Sequence, residues 1–433
     1  MAILNLNNPW HPILMMFYLI LLASILFLAT VQSEPLPSTQ EIFHQHKNRI
    51  VQIKILESST DIKASLGTGF YVSNNGDIIT NYHVISKIIH DPSHYSAVIK
   101  NHQGDTFPLE ILQIDVIHDL AIVKANISSS EFFDFADLTL DKGYRIYSLG
   151  NPHDLGSTIV EGTYNGIVEE SLYEKIHYTG SINPGMSGGP AINHQGKVVG
   201  INVSTAGNQI SFLIPAKFAK NLFENKNHEP QSINLLSSIK KQLLDYQDNY
   251  MQKLLSASFT TTKIGHYRAP GKIANFLKCW SDSSRKQENL YEVVYSGCST
   301  NDSIYISNQH STGTINFEHM LISSKHLNKF RFYQLYQDFF QTSYSGIQAS
   351  QEDVTNYQCH TEFVQTNKLP FRVALCLRPY KKFPELYDAI LRVASLNKNN
   401  MGIQSTLVLS GVNFENAKQF SKKYLESFSW KTP

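Results

Sequence analysis

The first 278 residues of this 433-residue chain contain no cysteine. Whatever folds there is held without disulfides. Charge of either sign is equally lacking as a signal: 37 Lys and Arg stand against 36 Asp and Glu, a net charge of +1, and no basic block breaks the balance. No field attracts nucleic acid, and no polyanionic partner is implied. The pairs His44 with His46 and His90 with His94 have no matching set of Cys, His or carboxylates around them, so neither a metal nor another cofactor is expected. Sustained heptads are missing too, which excludes a coiled coil.

What is present begins with an apolar N-terminus. Ile13 to Val31 runs without a charged residue and is long enough for a hydrocarbon core of about 30 Å. It reads as a signal peptide or a signal anchor within residues 1–33. Val31-Gln32-Ser33 offers a small-residue cleavage site, while the n-region has no Lys or Arg. Export is expected, to the periplasm or beyond the cell, and an uncleaved run would hold the chain to a membrane.

Asn183-Pro184-Gly185-Met186-Ser187-Gly188-Gly189-Pro190 sets a serine among glycines. A serine in such a turn is most often only part of a turn. The same setting also builds an acyl-transfer nucleophile, because glycines let backbone amides converge beside the attacking oxygen. The donors would be the amides of Gly185 and Ser187. His83 follows the strand-like Ile78-Ile79-Thr80, and Asp119 opens Leu120-Ala121-Ile122-Val123. The order His, Asp, Ser fits a triad in which Ser187 attacks, His83 carries the proton and Asp119 fixes the imidazole tautomer. Asp115 and Asp91 are rival partners for His83. A strand-end or turn role suits Asp115, and Asp91 opens a Pro-containing loop.

Gly67-Thr68-Gly69-Phe70, Thr80-Asn81-Tyr82-His83-Val84, Asp119-Leu120-Ala121, Leu149-Gly150-Asn151-Pro152 and Ile182 to Pro190 together resemble the HtrA (Deg) serine endopeptidases. The likeness covers about residues 49–225. It implies an all-β double barrel of the chymotrypsin type, with His83 and Asp119 on the first barrel and Ser187 on the second. It also implies polypeptide substrates in extended or unfolded form, a role in protein quality control, and homo-oligomers as an open option. The primary pocket would lie between Thr179-Gly180-Ser181-Ile182 and Ile201-Asn202-Val203. With Ser181, Ile182, Ile201, Asn202 and Val203 as walls it would take small or medium aliphatic residues before the scissile bond; alternatively Ile201 and Val203 fill the barrel core. Met186 stands where the family usually has Asn, and altered substrate contacts are expected from it. A protease-fold binding or chaperone-like module with a resting site is the rival reading.

Turn signals at Asn75-Gly76, His102-Gln103-Gly104-Asp105 and His194-Gln195-Gly196-Lys197 divide the region into short strands. Residues 34–48 read as a linker and 226–258 as a helical connector, with a long amphipathic helix from Ser232 to Ser256. Residues 259–433 read as a smaller α+β domain, without the PDZ modules that often accompany the family. In it a helix is expected from Pro384 to Ser395, a strand at Thr406 to Leu409 and a helix from Asn413 to about Ser427. An exported chain with four cysteines suggests disulfides. Of three pairings, Cys279 with Cys298 and Cys359 with Cys376 are preferred, because each pair is centred on a polar, turn-like segment.

Overall fold

The computed structural model describes Met16, Phe17 and residues 36–430, except 128, 130, 138–139, 227–233, 285–289, 343–346, 348, 368 and 397. Apart from Met16 and Phe17, the Ile13 to Val31 run and its cleavage site lie outside the described residues. Among the described residues no helix is long and apolar enough to cross a membrane.

Helix α1 (Thr39–His46) starts with a capping box, in which Ser38 and Glu41 satisfy each other's backbone amides. This segment was expected as linker; instead it buries Ile42 and His46, because its apolar side is covered by the core shared between the barrels. Six strands then close the first barrel: β1 (Ile50–Glu57), β2 (Lys63–Tyr71), β3 (Asp77–Thr80), β4 (Tyr95–Lys100), β5 (Thr106–Asp115) and β6 (Leu120–Ala125), in the order β1-β2-β3-β6-β5-β4. Helix α2 (Tyr82–His90) sits between β3 and β4. The Asn75-Gly76 signal turns β2 into β3, with Gly76 at φ 80°.

The second barrel is closed by β7 (Arg145–Gly150), β8 (Thr158–Ile167), β9 (Ile176–Tyr178), β10 (Pro190–Ile192), β11 (Val198–Thr205) and β12 (Ser211–Pro215), in the order β10-β11-β12-β9-β8-β7. Closure leaves neither barrel with a free edge. These two antiparallel barrels are the chymotrypsin-like architecture expected of residues 49–225. Helix α3 (Ala216–Glu224) follows directly.

Helix α4 (Leu235–Ser256) is capped by Asn234 and runs between the two halves of the chain. Ile239 and Leu243 join the first barrel's apolar cluster, while Tyr250, Met251 and Leu254 join the core of the C-terminal region. Gln242 fixes the junction by donating to the Ile114 carbonyl and accepting from the Val116 amide.

The C-terminal region contains β13 (Thr261–Ile264), β14 (Tyr267–Pro270), β15 (Leu277–Ser284), β16 (Glu292–Thr300), β17 (Ile304–Ser307), β18 (His310–Thr312), β19 (Ile315–Ser323), α5 (Lys329–Thr342), β20 (Gln358–Thr366), β21 (Leu369–Pro379), β22 (Tyr387–Ser395), β23 (Met401–Val412), α6 (Phe414–Glu426) and β24 (Ser429–Trp430). Seven strands form one antiparallel sheet in the order β15-β16-β19-β23-β22-β21-β20, and β17 pairs with β18 as a separate hairpin. The helix expected from Pro384 to Ser395 is the strand β22. Its successive buried residues Ala389, Ile390 and Leu391 suit a strand covered on both faces, a run that periodicity cannot distinguish from a buried helix. Both preferred disulfides are present, Cys279–Cys298 across β15 and β16 and Cys359–Cys376 across β20 and β21, each between directly paired residues.

Candidate active site

His83 lies in the first turn of α2, one residue beyond its start, so strand β3 delivers it to a fixed place. Asn81 has extended backbone at the N-cap but makes no side-chain cap there. Its amide group instead donates to the Asp119 carbonyl at 2.8 Å. Asp119 supplies the missing cap: one carboxylate oxygen accepts the His83 amide at 2.8 Å and the other meets His83 Nδ1 at 2.6 Å. A carboxylate at a helix N-terminus is favourably placed. Asp119 has φ 55°, a conformation that Asp tolerates better than most residues.

The rival carboxylates are occupied elsewhere. Asp115 pairs with His118 at 2.7 Å and caps the 117 and 118 amides, and Asp91 pairs with His94. His83 therefore faces Asp119. Burial pushes its pKa down, but the Asp119 charge and hydrogen bond outweigh this and hold it above the usual value. The His83 side chain is 28 % exposed and that of Asp119 is 10 % exposed, so the imidazole is reachable while its partner is shielded.

Ser187 occupies the turn between β9 and β10. Gly185 has φ 97°, and a Cβ on it would come 2.4 Å from the Asn151 carbonyl oxygen. Gly188 has φ 85°, and its Cβ would strike the Thr68 carbonyl oxygen at 2.2 Å. Only glycine fits either position. Among the described residues, no backbone or side-chain acceptor engages the amides of Gly185 and Ser187. Both remain available to an oxyanion.

Thr68 ties this turn to the first barrel. Its hydroxyl donates to the Gly185 carbonyl at 2.6 Å and accepts the Asn151 amide at 3.0 Å, and its own amide donates to the Ser187 carbonyl at 2.8 Å. Sequence reading placed Thr68 in a motif without giving it a task. It stands between Gly67 and Gly69, whose close contacts are with Val84 and with Ile78 and Ile53, so nothing beside it in the sequence marks the task.

The expected pocket residues separate into exposed and internal ones. Ser181 is exposed and Val203 half-buried. Ile182 and Ile201 lie in the barrel cores, so Ile201 fills the interior as its alternative reading held. Asn202 is fully buried: its amide group donates to the Leu149 and Met186 carbonyls and its oxygen accepts from Ser148. It supports the nucleophile turn from below and offers no surface to a substrate. Met186 is also fully buried, packed with Ile146, Ile176 and Leu213. The altered substrate contact expected of it is not made, because an apolar side chain here belongs to the barrel interior.

Ser187 Oγ donates to the Val203 carbonyl at 3.4 Å, and no hydrogen bond joins it to His83 among the described residues. Residues 67–201 match the family described as "Trypsin-like peptidase domain". This stretch is similar to trypsin-like peptidase domains. The chain is 33 % identical over 171 residues to a probable periplasmic serine endoprotease DegP-like of Bartonella henselae, covering 37 % of this chain and 33 % of that one. It is 33 % identical over 176 residues to the mitochondrial serine protease HTRA2 of Drosophila ananassae, covering 39 % and 40 %. The chain therefore spans about a third of the length of the DegP-like relatives it matches. A solved serine endoprotease from Yersinia pestis aligns with 25 % identity and a TM-score of 0.38 over 44 % of this chain and 67 % of that one.

Proposed function

We propose that this protein is a serine endopeptidase acting through a Ser187–His83–Asp119 triad. The observation that carries the reading is the doubly anchored His83–Asp119 pair, found together with a glycine-locked serine turn whose two amides are free. Ser187 Oγ would rotate from the Val203 carbonyl to His83 and attack the scissile carbonyl, passing its proton to Nε2. The Gly185 and Ser187 amides would hold the oxyanion. His83 would then return the proton to the departing amine, and water would release the acyl group by the same steps. A hydroxyl that is unaligned before substrate binds is common in such sites.

The substrates are polypeptides in extended form. Uncharged walls at Ser181 and Val203 favour small or medium aliphatic residues before the scissile bond, since a Lys or Arg there would be desolvated without a partner. The apolar N-terminal run and the periplasmic designation of relatives support export.

Fluorophosphonate labelling of the full chain, mapped by peptide mass, tests the triad. Modification at Ser187 that is lost in Ser187→Ala is expected. Absent labelling, with the fold intact, would reject the peptidase and favour a binding module. Cleavage of a peptide library after Ala, Val or Leu is expected, and cleavage mainly after Lys or Arg would overturn the pocket reading.

A further inference from the structure

The helix that carries His83 is gripped from outside the barrels by a hairpin of the C-terminal region. The Tyr305 ring on β17 packs edge-on against the His83 imidazole, with centroids 5.9 Å apart and planes at 68°. Its hydroxyl donates to Asn308 at 2.7 Å and lies 3.2 Å from Ser86 Oγ, which itself donates to the His83 carbonyl. Tyr82, fully buried beside His83, donates its phenol proton to the Ile306 carbonyl at 2.8 Å. Ile304 and Ile306 complete the seat by entering the first barrel's apolar cluster with Val84, Ile85 and Ile89. Side chains on alternate positions of β17 thus bury two anchors and aim Tyr305 at the imidazole.

The same segment is bound to the other barrel. Asp302 forms an ion pair with Lys175, accepts from Ser171 Oγ at 2.6 Å and from the Leu172 amide at 3.2 Å. The Lys175 and Asp302 side chains are 8 % and 12 % exposed. Desolvation opposes the Asp302 charge, and the Lys175 and Ser171 contacts outweigh it, holding the carboxyl below its usual value. Residues 302–306 therefore touch both the barrel that bears His83 and the barrel that bears Ser187. A brace of this kind constrains how the two halves of the site face each other.

We propose that Tyr305 is a positioning residue for His83, holding the imidazole on the Asp119 side of the cleft through a brace whose far end is fixed by Asp302. The proposal rests on the triad reading for its catalytic meaning, while the contact itself can be tested without turnover. The groups set against the His83 ring are Asp119 ahead of β6 and Tyr305 from β17, while Ser86 of its own helix meets its carbonyl. Tyr305 covers part of the ring from water, and water stabilises imidazolium. Removing the ring should therefore raise the His83 midpoint and loosen its orientation.

The test uses the full chain in detergent with Tyr305→Ala and Tyr305→Phe, and two readings. The first is the pH profile of diethyl pyrocarbonate modification at His83, followed by peptide mass. The second is the rate of fluorophosphonate labelling at Ser187. Tyr305→Ala is expected to shift the profile upward and slow labelling about tenfold, and Tyr305→Phe to restore both, since it keeps the ring. Unchanged readings in Tyr305→Ala would overturn the proposal, as would equal losses in Tyr305→Phe. Should the alanine variant unfold, Tyr305→Leu keeps an apolar seat without the ring, and the same readings decide. Failure of the parent to label would reject the peptidase reading alone, because the modification profile still reports on Tyr305.

Discussion

The two barrels and the seven-stranded sheet answer the same hazard in different ways. Each barrel returns its last strand to its first, so no row of unpaired amides and carbonyls is left open. The sheet is open, and its outer strands are β15 and β20. Those are the strands that carry the disulfides: Cys279 of β15 is joined to Cys298 of its neighbour β16, and Cys359 of β20 to Cys376 of β21. Covalent stitching is therefore placed at both edges of the open sheet, and none is found in the closed barrels. Exposure along β15 and β20 fits this division, since nearly all of their side chains face solvent and little packing holds them. The barrels carry the candidate chemistry, and the stitched sheet carries the hairpin that leans on it.

The largest expected effect falls on the barrels alone. Ser187→Ala should lower peptide hydrolysis on the order of 10⁶-fold, while leaving far-ultraviolet circular dichroism and the melting temperature unchanged. Hydrolysis persisting in that variant would remove the nucleophile from the account.

The sheet can be broken separately. Replacing Cys359 and Cys376 together by alanine frees an edge whose bridge spans 17 residues. The C-terminal region should lose about 3 kcal/mol of stability in urea unfolding, while Ser187 stays reactive toward a fluorophosphonate. Hydrogen exchange should quicken first along β20. An equal loss of protection in the barrels would show that the two regions do not unfold as separable units.

Thr68→Val removes the hydroxyl that joins the nucleophile turn to the first barrel and leaves the Gly185 carbonyl and the Asn151 amide without that partner. Buried groups so stranded cost about 1–3 kcal/mol. Labelling at Ser187 should slow by roughly 10- to 100-fold. A variant that labels normally would show that the glycines alone hold the turn.

Much of the barrel site was legible because its parts are short and local. The turn from Asn183 to Pro190, the strand leading to His83 and the residue ahead of Leu120 each announce their geometry through glycines or an apolar run. The expectation that Met186 reaches substrate fails, because whether a side chain in the turn points outward or into the barrel depends on strands far away in sequence, such as those bearing Ile146 and Leu213. Asn202 was misread for the same reason: its partners, Ser148 and Leu149, belong to another strand. Tyr305 and Asp302 gave no local signal at all. Their partners lie 219 and 127 residues away, at Ser86 and Lys175, and only the folded chain brings them together. The strand β22 was read as a helix because burial on both faces erases the alternation that distinguishes the two.

The smallest effect expected is a shift along the pH axis. Asp119 outweighs burial and raises the pKa of His83, so the pair stabilises the fold fully below the unfolded histidine value and loses that contribution as pH rises through the folded one. Catalysis runs in the opposite sense, because a general base must be neutral. Labelling of Ser187 should therefore climb as pH rises through a midpoint above the usual histidine value of about 6.5. Asp119→Asn removes the charge and should move that midpoint down, toward the side to which burial alone pushes it, while also slowing the plateau rate. His319 in the C-terminal region provides the contrast, since burial lowers it to about 4 and no carboxylate opposes the shift. One histidine is made more basic by a partner, the other less basic by its surroundings. A midpoint that stays put in Asp119→Asn would mean that the carboxylate holds the ring without setting its charge.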